Sequence, residues 1–244
     1  MESKRKNILT ILLIIVIVVV VGVIGFLGFE LINGKVKESA SQTITDEFDK
    51  QIPTITEEEF NEGMQEQEQN TTQSPNQPNG EEGSSGQTGN GKYTGYRNYN
   101  QSYYTTGVNI DGYWVVGTIR IPASGIRYSI FSQPSKKALE RGIGMIYTSN
   151  GINQPGNTVL AGHNYKNSLF FSKNKYLVEG NPIYIKDATG VEVKYIVTSK
   201  FTTNDTDTSF YQRDTGGKRE ITLSTCTDRG SRTGERLIVL AREE

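Results

Sequence analysis

The segment Glu220-Ile-Thr-Leu-Ser-Thr-Cys226 is a β-type run that ends on a cysteine. Cys226 is the only cysteine of the chain, and the only histidine, His163, ends a second such run, Asn157-Thr-Val-Leu-Ala-Gly-His163. Residues at the ends of rigid strands are held accurately and stay accessible to a substrate. Cys226 and His163 are therefore the only possible cysteine–histidine catalytic pair. A lone cysteine is nevertheless often an inert buried residue, and a lone histidine is often structural.

Arg236 is the third candidate site residue. It follows Cys226 by a short interval and opens the apolar run Arg236-Leu-Ile-Val-Leu-Ala241. If the residues between them form a hairpin, Arg236 lies beside the end of the cysteine strand. Arginine stays protonated throughout the physiological pH range, so Arg236 is a candidate cationic neighbour of the thiol.

Residues 92–244 have the size of one domain and the pattern of a mainly β fold. Runs with strand character, separated by Gly, Asn, Asp and Pro turns, are Gly112–Ile121, Ile126–Phe131, Asn157–His163, Pro182–Lys186, Glu192–Phe201, Glu220–Cys226 and Arg236–Arg242. Short strands at this spacing predict a β-barrel or a β-sandwich. Helices are predicted at Ser135–Arg141, with Ser135 as the N-cap, and at Ser168–Lys175.

The N-terminus predicts a membrane anchor. Lys4-Arg5-Lys6 precedes an almost unbroken apolar stretch, residues 8–29, which is long enough to cross a bilayer as a helix. The stretch is longer than the apolar part of a secretory signal, and no small-x-small cleavage site follows it. We therefore expect residues 1–7 in the cytoplasm, an uncleaved signal anchor at 8–29, and the remainder outside the cell membrane.

Residues 30–91 are predicted to be a polar stalk followed by a disordered linker. Up to about Gln69 the segment is acidic, and its apolar residues are too sparse for a core, although a short helix around Ser39–Asp49 is possible. From Asn70 the composition is mostly Asn, Gln, Ser, Gly and Pro. A fragment that starts near Lys92 is therefore expected to fold and to work alone. The Tyr-rich segment 93–104 either packs on the domain or forms a lid over the substrate.

Composition excludes several classes of function. A net charge of −1 gives no basic excess for nucleic acid. One cysteine cannot form an internal disulfide, and one cysteine with one histidine is a poor zinc site. The thiol is therefore free, and we expect no metal site and no cofactor.

The segments Thr222-Leu-Ser-Thr-Cys226 and Leu160-Ala-Gly-His-Asn164, with Arg236 before an apolar strand, together resemble a sortase. Sortases are membrane-anchored cysteine transpeptidases of Gram-positive bacteria, and the resemblance extends from about Trp114 to Glu243. It implies a closed, roughly eight-stranded β-barrel with short helices. It also implies that Cys226 is the nucleophile, that His163 is the general acid/base, and that Arg236 orients the substrate and stabilises the oxyanion.

The resemblance implies that the substrate is a surface protein with a sorting signal of the Leu-Pro-x-Thr-Gly type. The enzyme would cleave the signal through a thioacyl intermediate and join it to an amine of the peptidoglycan precursor lipid II, which anchors the protein to the cell wall. A pilin-polymerising sortase is an alternative, but an Asp-Pro-aromatic lid motif is absent from the sequence. A surface cysteine peptidase that releases its product to water and a non-catalytic adhesion domain also remain open.

The subclass and the substrate contacts are less well defined by sequence. Thr-Leu-Ser-Thr-Cys is similar to class B and class C motifs, whereas the short link from Tyr195 to Cys226 and the C-terminal stop after it are similar to class A or D. The candidate substrate-binding residues are Thr225, Leu223 and Ala161. Some class A enzymes bind calcium in comparable loops, and for that the candidates here are Glu140, Asp205 and Asp207. Surface solvation is the better interpretation of these scattered carboxylates.

Overall fold

The computed structural model describes residues 2–62, 107–165, 167–227 and 234–244, with side chains from residue 11 onward. The predicted linker from Asn70 to 91, the predicted domain start at Lys92 and the Tyr-rich segment 93–104 lie outside the described residues.

The described part of the chain contains nine strands. They are β1 Val108–Ile110, β2 Tyr113–Ile121, β3 Ile126–Phe131, β4 Ile143–Thr148, β5 Gly156–Ala161, β6 Pro182–Asp187, β7 Glu192–Asn204, β8 Arg219–Cys226 and β9 Glu235–Glu243. Short helices are present at Pro122–Ser124, Lys136–Leu139 and Phe171–Tyr176. Ser135 caps the second of them, since its Oγ accepts a hydrogen bond from the Ala138 amide at 3.1 Å, as predicted.

Eight of these strands close a barrel. Their order is β2-β3-β4-β5-β8-β9-β7-β6, and β6 pairs back onto β2. The pairs β3–β4 and β5–β8 are parallel, and the other pairs are antiparallel. Closure leaves no long open strand edge around the barrel, and β1 adds only a short pairing to β2. The predicted mainly β, closed, roughly eight-stranded barrel is confirmed.

Strand β4 was not predicted, because glycine is rare in strands, and Gly142 lies just before this strand and Gly144 at its second position. The fold requires Gly144. A Cβ atom on Gly144 would lie 2.6 Å from Pro134 Cβ, so only glycine allows β4 to pass under the turn that leads into helix Lys136–Leu139. The predicted helix Ser168–Lys175 is instead a 3-10 helix, Phe171–Tyr176. Predicted strand Asn157–His163 ends at Ala161, so His163 stands in the loop beyond it.

The N-terminal helix runs without a break from Glu2 to Gln51. Its apolar part, from Ile11 to Phe29, is exposed and is long and apolar enough to cross a membrane. This agrees with the sequence prediction of one N-terminal membrane helix.

The C-terminal part of this helix packs on the barrel. Ser41, Ile44, Thr45 and Phe48 are almost fully buried, and they follow one another at the i, i+3, i+4, i+7 spacing of a helix face. The two apolar members pack in one cluster with residues of β1, β2 and β3 and of the Lys136–Leu139 helix, namely Ile110, Val115, Phe131 and Ala138.

Polar contacts fix the same helix face to the barrel. Thr45 Oγ1 accepts a hydrogen bond from the Ser129 amide at 3.0 Å, and Asp49 forms ion pairs with Arg127 and, at 2.5 Å, with Lys186. The Lys186 side chain is only 4% exposed, and its Nζ also donates to the Ile52 carbonyl at 2.7 Å. A buried ammonium group is stable only with such partners.

The residues from Ser41 to Ile55, which the sequence predicts to be part of a stalk, therefore contact the barrel in the structure. Ile55 adds a bridge to Val191 at the far end of this segment. The sequence conceals the docking face because half of the stripe is Ser and Thr, which carry no hydrophobic signal. A fragment from Lys92 would lack these contacts, and its independent activity stays a prediction.

Candidate active site

Parallel pairing of β5 and β8 brings the candidate histidine and cysteine to the same end of the barrel. Ala161 is the register partner of Ser224, so His163 and Cys226 each lie two residues beyond a matched pair. Because neighbouring strands are only about 4.8 Å apart, this register places His163 near Cys226. The Gly162 amide continues the ladder by donating to the Ser224 carbonyl at 3.2 Å.

Gly162, which precedes the histidine, has a steric role. A Cβ atom at this position would lie 2.8 Å from both Ile143 Cδ1 and Phe171 Cδ2, closer than real Cβ contacts. Glycine therefore lets the end of β5 approach the 3-10 helix Phe171–Tyr176, and this close approach sets where His163 leaves the sheet.

Arg236 lies directly opposite Cys226 in the antiparallel β8–β9 pair. Its Nη1 donates to Cys226 Sγ at 3.1 Å. A guanidinium donates charge-assisted hydrogen bonds through a planar fork, so Arg236 can contact both the sulfur and a substrate oxygen beside it. The strand pairing expected from sequence is thus present, and Arg236 has direct access to the thiol.

Two side chains connect the histidine loop to the cysteine strand through three hydrogen bonds. Asn164 Nδ2 donates to the carbonyl oxygens of Cys226 and Thr227, at 2.8 and 3.3 Å. Thr225 Oγ1 donates to the Gly162 carbonyl at 2.7 Å. The sequence analysis did not assign a role to Asn164, although its position directly after the candidate histidine was a usable signal.

The His163 ring lies in an aromatic cluster. It stacks on Tyr165, with ring centroids 4.7 Å apart and an interplanar angle of 27°, and Phe170 meets it edge-on at 6.5 Å. Phe170 has a φ of 54°, a left-handed conformation that is strained for a bulky residue. Such strain persists where the surroundings fix the backbone, and it is frequent at functional sites. The Phe171 amide also donates to the His163 carbonyl at 3.1 Å.

The electrostatic surroundings of His163 favour the neutral ring. Burial lowers its pKa, because the imidazolium loses hydration, and the positive charge of Lys37 lowers it further. The carboxylate of Glu140 acts in the opposite direction and raises the pKa. The charge state of His163 is therefore adjusted by two side chains from outside its own loop.

A cavity of about 200 Å³ opens beside Cys226. One wall is the row Thr225, Leu237 and Thr202, which are register partners across β8, β9 and β7. Phe171 and Lys175 of the 3-10 helix also line the cavity. The cavity is thus partly apolar and lies within reach of the thiol. Sequence reasoning missed Leu237 and Phe171, which come together only through sheet register and helix packing.

The three predicted substrate-binding residues have different positions. Thr225 lines the cavity next to Cys226. Leu223 is completely buried in the barrel core and is not among the residues that line the cavity, so its substrate contact stays a prediction. Ala161 is half-buried at the end of β5 and is not among the residues that line the cavity.

The carboxylates considered for calcium do not converge. Glu140 lies at the end of helix Lys136–Leu139 and acts on His163, whereas Asp207 accepts hydrogen bonds from Thr203 and Ser209. Among the described residues, no three His, Cys, Asp or Glu side chains come together to hold an ion. Calcium activation stays a sequence-based prediction.

Comparison with known protein families gives one match, to a family model described as the sortase domain, and it covers residues 119–244, which is more than half of the chain. No curated protein matches the chain.

Solved structures similar to this chain are also sortases. A lid mutant of sortase A from Corynebacterium diphtheriae is 29% identical, with a TM-score of 0.49 over 53% of this chain and 70% of that one. Sortase C-1 from Actinomyces oris is 26% identical, with a TM-score of 0.49 over 53% of this chain and 74% of that one. Sortase A from Listeria monocytogenes is 26% identical, with a TM-score of 0.48 over 53% of this chain and 87% of that one. The subclass of this chain stays a sequence-based prediction.

Proposed function

The chain belongs to the sortase family, and from this premise we propose that it cleaves a sorting signal of the Leu-Pro-x-Thr-Gly type and transfers the acyl part to an amine of lipid II. The observation that carries this proposal is the contact of Arg236 Nη1 with Cys226 Sγ at 3.1 Å, at the barrel end where His163 also lies. These residues supply a nucleophile, a proton carrier and a positive charge, which are the three groups that acyl transfer requires.

In the first half-reaction, Cys226 Sγ attacks the threonine carbonyl carbon of the signal, and the thiol proton passes to the neutral ring of His163. Arg236 stabilises the negative charge that develops on the carbonyl oxygen, and His163 gives a proton to the departing glycine amine. The C–N bond breaks, and a thioester between the threonine carbonyl and Cys226 remains. The cavity walls formed by Leu237 and Phe171 suit the apolar Leu and Pro of the signal.

In the second half-reaction, an amine attacks the thioester. A proton passes from the amine to His163, the C–S bond breaks, and Cys226 leaves as a thiolate. The product is an amide between the threonine carbonyl and the acceptor. Water attacking the same thioester would give hydrolysis, so the acceptor distinguishes a transpeptidase from a peptidase.

Incubation of the full-length protein in detergent with a fluorogenic sorting peptide, with and without an amine acceptor, tests the function. Transfer predicts that the amine becomes joined to the peptide and that turnover rises with amine concentration. A peptidase would release the hydrolysed peptide at a rate that does not depend on the amine. A non-catalytic domain would leave the peptide intact. A lysine-containing pilin peptide as the acceptor distinguishes polymerisation from wall anchoring.

We expect Arg236→Lys to lower kcat/KM by about 10²-fold, because one oxyanion donor is typically worth that much. Lysine keeps the charge but not the planar fork with which a guanidinium can meet both the sulfur and a carbonyl oxygen. Exposed Arg242→Lys, on the same strand and at the far end of β9, is the matched control. Near-normal kcat/KM for Arg236→Lys would mean that Arg236 provides only diffuse charge.

The exposed apolar helix Ile11–Phe29 supports a single-pass anchor. The positive charges of Lys4-Arg5-Lys6 before it support an orientation with the barrel outside the cell. We expect a membrane-impermeant maleimide to label intact cells at Cys226, which is the only thiol in the chain. Cys226→Ala removes the labelling and is the control. Labelling that requires cell lysis would place the barrel in the cytoplasm and contradict this orientation.

A further inference from the structure

The part of the N-terminal helix between the apolar stretch and the docked face lies over the histidine loop. Lys37 Nζ is 5.1 Å from the centroid of the Tyr165 ring, within the range of a cation–π contact. One helical turn earlier, a Cβ atom on Gly34 would lie 3.1 Å from Asn167 Nδ2, so the helix backbone itself meets the loop. The helix therefore contacts the loop at two successive turns.

Tyr165 transmits this contact to the candidate histidine. The Tyr165 ring contacts Lys37, and the same ring stacks on His163 with the centroids 4.7 Å apart. Its backbone amide donates to Ser172 Oγ at 2.6 Å, and that hydroxyl donates to the Leu169 carbonyl at 2.5 Å. Tyr165 is thus held on its backbone by the loop and on its ring by the helix.

We propose that the N-terminal helix is part of the active site, with Lys37 and Tyr165 as positioning residues that hold the His163 ring in place. The inference rests on the proposed function, since it assigns these residues a role in the transfer reaction. The sortase family model matches only from residue 119 onward, so Lys37 lies outside the matched domain.

The helix position also gives Lys37 an electrostatic effect. Among the residues that the structure describes, the charged and titratable groups around His163 include Glu140 at the end of helix Lys136–Leu139, Lys37 on the N-terminal helix, Tyr165 on its own loop, and Cys226 and Arg236 on β8 and β9. Lys37 lowers the pKa of His163, and Glu140 raises it. Removal of the Lys37 charge must therefore raise the pKa of His163, and removal of the Glu140 charge must lower it.

The arrangement couples catalysis to anchoring. The same helix carries the candidate membrane span, Lys37 and the face that docks through Ser41, Ile44, Thr45 and Phe48. A protein separated from the membrane segment but still docked keeps the histidine contact, whereas loss of the docked face removes it. The N-terminal helix then contributes to a working site, in addition to holding the barrel near the membrane.

The test uses the full-length protein in detergent. His163 is the only histidine, so its ring resonance in NMR reports its pKa without assignment. We expect Lys37→Ala to raise that pKa, Glu140→Gln to lower it, and Lys37→Arg to retain it. The matched control is Lys35→Ala, which removes an exposed lysine two positions away on the same helix. The limb of the pH profile of kcat/KM that His163 controls should move by the same amounts.

Tyr165→Ala should lower kcat/KM about tenfold through kcat, since one aromatic contact of this size is lost, while Tyr165→Phe keeps the stack and the activity. If Tyr165→Ala fails to fold, Lys37→Ala compared with Lys35→Ala still decides. The proposal is wrong if Lys37→Ala matches Lys35→Ala in both the His163 titration and kcat/KM. If the protein cleaves no sorting peptide, the titration still reports the helix contact, so failure of the proposed function and failure of this inference are distinguishable.

Discussion

Replacement of Cys226 with alanine is expected to abolish cleavage of a sorting peptide while the barrel stays folded. Cys226 carries the only thiol of the chain, so no second nucleophile of this kind can replace it. Loss of a nucleophile lowers kcat by about 10⁴-fold or more in enzymes that use an acyl-enzyme. The fold should tolerate the change, because Cys226 is the last residue of β8 and is only half-buried.

Two measurements check this prediction: kcat with a fluorogenic sorting peptide, and the thermal transition followed by circular dichroism. Ser224→Ala, on the same strand, is a control for nonspecific effects on the sheet. A folded Cys226→Ala protein that retained substantial turnover would remove Cys226 from the mechanism. The variant should also trap no thioester, which mass spectrometry of the full-length protein with peptide can test.

Removal of everything before Lys92 is expected to destabilise the domain strongly. The fragment would lose Ile44 and Phe48 from the cluster that covers Val115 and Phe131. Burial of one such side chain contributes about 1.5–3 kcal/mol. The buried Lys186 would also lose Asp49 and the Ile52 carbonyl, and breaking a buried ion pair costs about 3–5 kcal/mol. These losses are large beside a total stability of about 5–15 kcal/mol.

A fragment that starts at Glu38 is the matched comparison, because it also lacks the apolar span but keeps the docked face. We expect the fragment from Lys92 to melt at least about 10 °C lower or not to fold. Within the longer fragment, Phe48→Ala should lower the melting temperature, while exposed Lys50→Ala should not. Equal melting temperatures for the two fragments would mean that the helix contributes nothing to domain stability.

Much of the barrel was predictable because its signals are local. Strand β3 has the predicted bounds, Ile126–Phe131, and β8 ends at Cys226 as predicted. Strand β4 was missed because Gly144 is unfavourable for a strand by itself and is required only by its approach to Pro134. Leu223 was assigned to substrate because it lies near the site in sequence, but it shares a face of β8 with Thr225 and lies two positions farther from the strand end, inside the core.

The sequence by itself determined which residues could do the chemistry: a single cysteine, a single histidine and an arginine, each next to a strand end, and one apolar helix near the N-terminus. These features are local, so composition and spacing suffice to identify them. Only the tertiary structure decided the β5–β8 register that places His163 near Cys226, and the docking of the N-terminal helix. Thr45 and Ser129 are 84 positions apart in sequence. No local pattern encodes such a contact, because its stabilisation arises only when closure of the barrel presents the surface on which the helix packs.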